Sequence, residues 1–439
     1  GTVTATGTSV FASLDISGDI DVDGTSNLDA VDIDVSLTVD GTVKLNGNFP
    51  TGTDNVALGN AALSGGSLSG AGNIAIGDSA GDAITSGSNA VAIGRDAFGG
   101  AYTGSDVIAI GRSAGAAVTS GTQSVFIGSL AGDAITEADH NVAIGYSALS
   151  TETLGQRSVA IGRSALQTQN ITTATDAYNV AVGYDAGNDI TTGTQNVFVG
   201  GLSGDANTSA SNNTAVGHAA LGANTLGKSS VAIGAFALDS QNLTTDTNAY
   251  NVAIGRDAGG AVTTGIQNTL LGGLAGDELT DADNNVAVGY AALGTDTLGS
   301  QTTAVGVGAL NNQNFTTATN SLNTAVGYHA GLAITTGIKN TILGGQAGDA
   351  LTDADFNVAI GFNALSTDTR GSRSIAIGTN ALLTQNQTTP TDVYNVAVGH
   401  NAGENITTGV QNTIVGGLAG DAMTVGQNNV VMGVAALSS

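Results

Sequence analysis

The sequence predicts an all-β solenoid of about 22 stacked coils. The first observation is a motif: a version of Asn-Val-Ala-Ile-Gly recurs 22 times, its glycine running from Gly59 to Gly433. The second is the spacing. Successive glycines keep the step seen from Gly94 to Gly111, Gly128 and Gly145, which makes 17-residue coils. The step after Gly59 is one longer, and those after Gly162, Gly234, Gly306 and Gly378 are four longer and define a 72-residue super-repeat. A constant period of this size marks a structure in which each repeat is one unit that buries its apolar residues only against its neighbours. The third is composition: 66 Gly, 2 Pro, no Trp and no Cys describe tight turns and small side chains without disulfides.

Within one coil, Asn141-Val142-Ala143-Ile144-Gly145 alternates as a short strand does. The residue before the glycine is apolar in all 22 copies, and the residue two earlier is Val, Ile or Thr. That row is expected to be the coil core: Val142, Ile144, Val159, Ile161, Val252 and Ile254. The middle residue, Ala in 16 copies, makes the other face apolar too, and a strand apolar on both faces is buried on both. The expectation is therefore a subunit interface at Ala143, Ala160 and Ala181. Phe126, Phe198, Leu270, Ile342 and Ile414, one per super-repeat, would fill the gap between chains. Three residues after each glycine comes Ala in 21 copies, followed by Leu or Gly in nearly every copy, which reads as a second short strand beyond the corner. Asn opens the motif in 15 copies and is expected to form a stacked ladder.

The four long steps place extra residues in Thr-rich stretches such as 167–178 and 239–250, expected to loop outward. Asn170, Asn242, Asn314 and Asn386 each open Asn-x-Thr there, as glycosylation acceptors or receptor contacts. Residues 1–50 lack the motif and carry acidic alternating stretches. They read as a separate β-rich shaft or connector, with Pro50 at the boundary and the repeat domain over 51–439. Both ends look trimmed, by processing or by truncation.

Motif and spacing together resemble the head repeats of trimeric autotransporter adhesins, the YadA-like type, over about residues 55–437. The resemblance implies a left-handed parallel β-roll packed side by side as a homotrimer. The coils here are longer than that family's, and neither its heptad stalk nor its membrane barrel is visible. Phrases such as Leu37-Thr38-Val39-Asp40-Gly41 look instead like the shafts of bacteriophage tail fibres, which carry YadA-like repeats as well.

The formal charge of −26 argues against phosphate-backbone binding, and against anionic membrane surfaces for the same reason. No apolar run approaches the length that crosses a bilayer as a helix. Asp19-x-Asp21-x-Asp23-Gly24 opens like a calcium loop, but Ala30 stands at the twelfth position where a bidentate Glu belongs, so Asp19, Asp21 and Asp23 read as strand acids. Acids at Gly132 to Asp139, Gly276 to Asp283 and Gly348 to Asp355 read as turn formers. His140, His218, His329 and His400 lack metal-ligand spacing, and no nucleophile elbow or phosphate cradle occurs, so no catalytic residue and no cofactor is expected.

The expected function is a structural host-attachment fibre, a trimeric rod of a phage tail or similar virion appendage. It would meet a host-cell receptor or glycan and other tail proteins, with neither nucleic acid nor membrane insertion involved. A bacterial surface adhesin and a self-assembling extracellular fibril are the alternatives. An ice-binding rank is set aside, because Thr-Thr-Gly occurs only at Thr191, Thr263, Thr335 and Thr407.

Overall fold

The computed structural model describes residues 53–65 and 68–438. The acidic segment 1–50, with Asp19, Asp21 and Asp23, lies outside the described residues. Over the described residues the chain is an all-β parallel solenoid without a helix. Twenty-two short strands, from Val56–Leu58 to Val430–Met432, form one sheet. Each pairs in parallel with the next, in the register that stacks Val142 on Val159, Ala143 on Ala160 and Ile144 on Ile161. One strand spacing per coil, about 4.8 Å, makes the stack roughly 100 Å long. Each long step adds a short extra pair, as where Gly155–Gln156 meets Thr175–Asp176.

The inside and outside of the strand are the reverse of the expectation. Ala143, Ala160, Ala181, Phe126, Phe198, Leu270, Ile342 and Ile414 are buried in the coil core, not at a subunit interface. Val142, Ile144, Val159, Val252 and Ile254 are half-buried on the outer face, and Ile161 is 36% exposed. Strict alternation was correct; which parity pointed inward depended on the width of the coil. The facing segment lies so close that only a methyl fits in most coils. Opposite the Ala rows stand Leu149 and Leu166, fully buried. Where those positions become glycine, the core is refilled from the strand: added Cβ atoms at Gly187 and Gly204 would lie 2.9 Å and 2.6 Å from the Phe198 ring. The rhythm of the super-repeat is thus volume compensation inside one chain, which close-packed interiors demand.

The second strand expected after the glycine is a turn instead. Gly145 has φ +139, and a Cβ there would run into the Gly162 carbonyl one coil on. Leu149, at φ +53, sits in the left-handed region where glycine is at home, which explains the alternation of Leu and Gly at this position. The Asn ladder is present. Buried Asn141 donates from Nδ2 to the Gly155 carbonyl at 2.9 Å, and its Oδ1 accepts the Ser158 N–H at 2.8 Å. Asn179 and Asn196 repeat the pattern.

Candidate functional site

The first candidate surface is the outer face of the strands. Its two rows, Val, Ile or Thr and then an apolar residue in every coil, leave Leu58, Ile161, Ile233, Leu271 and Leu343 between 36% and 48% exposed. The rows that border it in chain order carry most of the exposed aromatic side chains. Tyr146, Tyr184, Tyr290, Tyr328 and Phe362 each follow a corner glycine, and Tyr178, Tyr250 and Tyr394 each precede the motif Asn. Cations lie over several of these rings, Arg163 at 5.3 Å from the centre of Tyr184 and Arg373 at 5.9 Å from that of Tyr394, and Arg373 also lies 4.7 Å from the ring of Phe356, which precedes Asn357. His218 packs edge-on to Phe236 at 5.3 Å, and His329 stacks on Tyr328 at 3.8 Å. His140 and His400 are exposed.

The second surface was missed from sequence. Eight positions after each corner glycine, 18 successive coils from Thr119 to Thr424 hold Thr or Asn, the Asn falling at Asn170, Asn242, Asn314 and Asn386. Thr-Thr-Gly alone does not reveal this rank, because the following residue varies. The hydroxyls from Thr119 to Thr407 are pinned along the stack: Thr119 Oγ1 donates to the Thr136 carbonyl at 3.2 Å, and Thr136 Oγ1 to that of Thr153 at 3.2 Å. At every fourth coil the acceptor is the sequon Asn, as where Thr153 Oγ1 meets Asn170 Oδ1 at 2.9 Å. Asn170, Asn242 and Asn314 are exposed and Asn386 half-buried, beside the Thr-rich insertions, whose residues 172–175 are exposed. Asn replaces Thr beside each insertion, which divides the rank into short grooves of at most three threonines.

A third feature is internal. One residue before the rank, where Ile135, Ile190 and Val262 fill the core, Glu152, Asp296 and Asp368 are fully buried. Glu152 Oε1 accepts the N–H groups of Thr153, Leu154, Gly155 and Ile171 at 2.7–3.1 Å, and Oε2 accepts Gln169 Nε2 at 2.6 Å. Such a nest of backbone donors compensates a buried carboxylate. Gln169 then accepts from Asn179, so the network ties each insertion to the Asn ladder. Its role is structural. The signal available was a polar residue recurring at 72-residue intervals, Glu152, Asn224, Asp296 and Asp368, each followed one coil on by a glutamine, at Gln169, Gln241, Gln313 and Gln385.

The acids expected to form local turns instead join neighbouring coils: Asp139 Oδ1 accepts the Thr122 N–H at 2.6 Å, and Asp283 Oδ1 that of Ile266 at 2.7 Å, each one coil back. A neighbouring row of half-buried carboxylates includes Asp133, Asp205, Asp239 and Asp349, all raised in pKa chiefly by burial. Asp277 is pushed up to about 6, by burial first and then by Glu278 and Asp257. Among the described residues no group of three or more His, Cys, Asp or Glu is placed to hold a metal ion. No helix among them is long and apolar enough to cross a membrane. No family model, no curated protein and no solved structure matches this chain.

Proposed function

We propose that the solenoid is the rod of a side-by-side homotrimeric attachment fibre, with left-handed coils of the YadA-like head type, as carried by bacteriophage tail fibres. The observation that carries the reading is the outer strand face, apolar next to the glycine in every one of 22 coils and partly exposed throughout. A stripe of that length and pitch is matched by another apolar stripe repeating at the same spacing, which a second copy of this chain supplies in register. An apolar centre edged by tyrosines and cation-capped rings is also the composition of protein interfaces. The motif supplies the trimer and the handedness by resemblance.

Lateral packing would turn the Asn/Thr grooves outward on each subunit, where many weak contacts along a stiff rod combine into avidity. Sedimentation equilibrium of residues 53–439 tests the assembly: three chain masses are expected. Replacing Ile144, Ile161 and Ile254 together by Asp should give a folded monomer. A wild-type monomer at micromolar concentration would defeat the reading. Immunogold labelling of source material tests the setting. Label on virion tails supports the fibre, and label on cell envelopes or free filaments replaces it with the adhesin or the fibril.

A further inference from the structure

The groove beside the last sequon differs from its counterpart in the preceding super-repeat at a single residue, and that residue changes its chemistry. It has a volume of about 610 Å³, and its lining includes Thr335, Thr336, Thr352, Asp353, Thr369, Arg370 and Asn386. The preceding super-repeat has the same residue at each of these positions, Thr263, Thr264, Thr280, Asp281, Thr297 and Asn314, except that Leu298 stands where Arg370 does. The two earlier super-repeats also have leucine there, Leu154 and Leu226.

The arginine rearranges the polar groups. In the preceding super-repeat Asp281 Oδ1 accepts the Thr264 hydroxyl at 2.7 Å. In this groove Asp353 Oδ1 instead meets Arg370 Nε at 3.5 Å, which releases Thr336. Thr335, Thr352 and Thr369 donate along the stack, to the carbonyls of Thr352, Thr369 and Gln387. Their oxygens therefore keep lone pairs that can accept. Donors come from the remaining guanidinium N–H groups, the Thr336 hydroxyl and the Asn386 amide nitrogen. The floor spans four coils, about 14 Å along the axis at one strand spacing per step.

Alternating acceptors and donors, a charge pair that cancels, and no aromatic wall suit a ligand rich in hydroxyls and without net charge. The chain's charge of −26 disfavours an anionic one. We propose that this groove binds a neutral carbohydrate chain laid along the rod axis, with Arg370 and Asp353 together gripping adjacent hydroxyls. The proposal rests on the attachment-fibre reading for its purpose only, and the two fail separately.

The test uses the purified rod on a panel of immobilised linear oligosaccharides, neutral and acidic, with assembly mass followed in parallel. Wild type should retain at least one neutral glycan. Arg370→Leu, which installs the residue of the other three grooves, should lower retention at least tenfold with the mass unchanged. Leu298→Arg should raise the number of glycan sites per chain from one to two, because Asp281 already stands beside it. Absence of binding by the wild type, preference for acidic glycans, or equal binding by Arg370→Leu would each overturn the proposal. A monomeric rod that still binds the glycan would leave the groove standing and remove the trimer.

Discussion

Asn207 is a fault in the core whose removal has a calculable effect. It is fully buried, and neither its amide nitrogen nor its amide oxygen has a hydrogen-bond partner. The same place in the other super-repeats holds Ile135, Leu279, Leu351 and Met423. An unsatisfied buried amide costs about 1–3 kcal/mol in proteins, and a buried leucine contributes about 1.5–3 kcal/mol. Overpacking by the larger side chain takes back about 1 kcal/mol or more. Asn207→Leu is therefore expected to stabilise its neighbourhood by about 2 kcal/mol. A long solenoid does not unfold as one unit, so a global melting point would dilute the effect. Native-state hydrogen exchange at Val197–Val199 and Thr214–Val216, the strands of the same coil and the next, reads it directly. About 2 kcal/mol slows exchange roughly 30-fold, while strands near Val358–Ile360 should not change. Equal or faster exchange in Asn207→Leu, with Leu279→Asn destabilising its own coils, would show that the amide is satisfied in the native protein and refute the reasoning.

Phe198→Ala should cost about 3–5 kcal/mol, since Gly187 and Gly204 have no side chain with which to refill the space; local hydrogen exchange at Val180–Val182 and Thr214–Val216 should show the same loss at every protein concentration, as a residue inside one chain requires. Glu152→Leu strands the four N–H groups that its carboxylate accepts and should cost about 3–5 kcal/mol, read as faster exchange confined to residues near 153–177. For Asp277 the folded pKa, about 6, lies above the unfolded value near 3.9, so its charged form opposes folding. Stability should rise as pH falls through about 6 and level off near 4, with Asp133, Asp205, Asp239 and Asp349 acting in the same direction. Local exchange around Asp277 measured between pH 7 and 4, corrected for intrinsic rates, checks this, and Asp277→Asn should flatten its share of the slope.

The sequence by itself determined the coil. A glycine recurring at near-constant steps beside alternating apolar positions has few solutions, and the Asn opening the motif is suited to a buried ladder because one amide can donate to and accept from the next coil. Tertiary structure alone decided which parity of the strand faces inward. Ala143 and Ile144 are both apolar, and a period of two gives the faces without their assignment. The assignment came from the distance to the opposite segment, where Leu149 leaves room for a methyl and Gly204 leaves room for Phe198. The same distance moved the interface candidates into the core and brought the Val and Ile rows to the surface. The recurrences behind the Thr/Asn rank and the nest around Glu152 are in the sequence, but what they build depends on residues one coil apart meeting along the axis. Stacking turns Thr136 and Thr153, a full coil apart in sequence, into neighbours about 4.8 Å from each other.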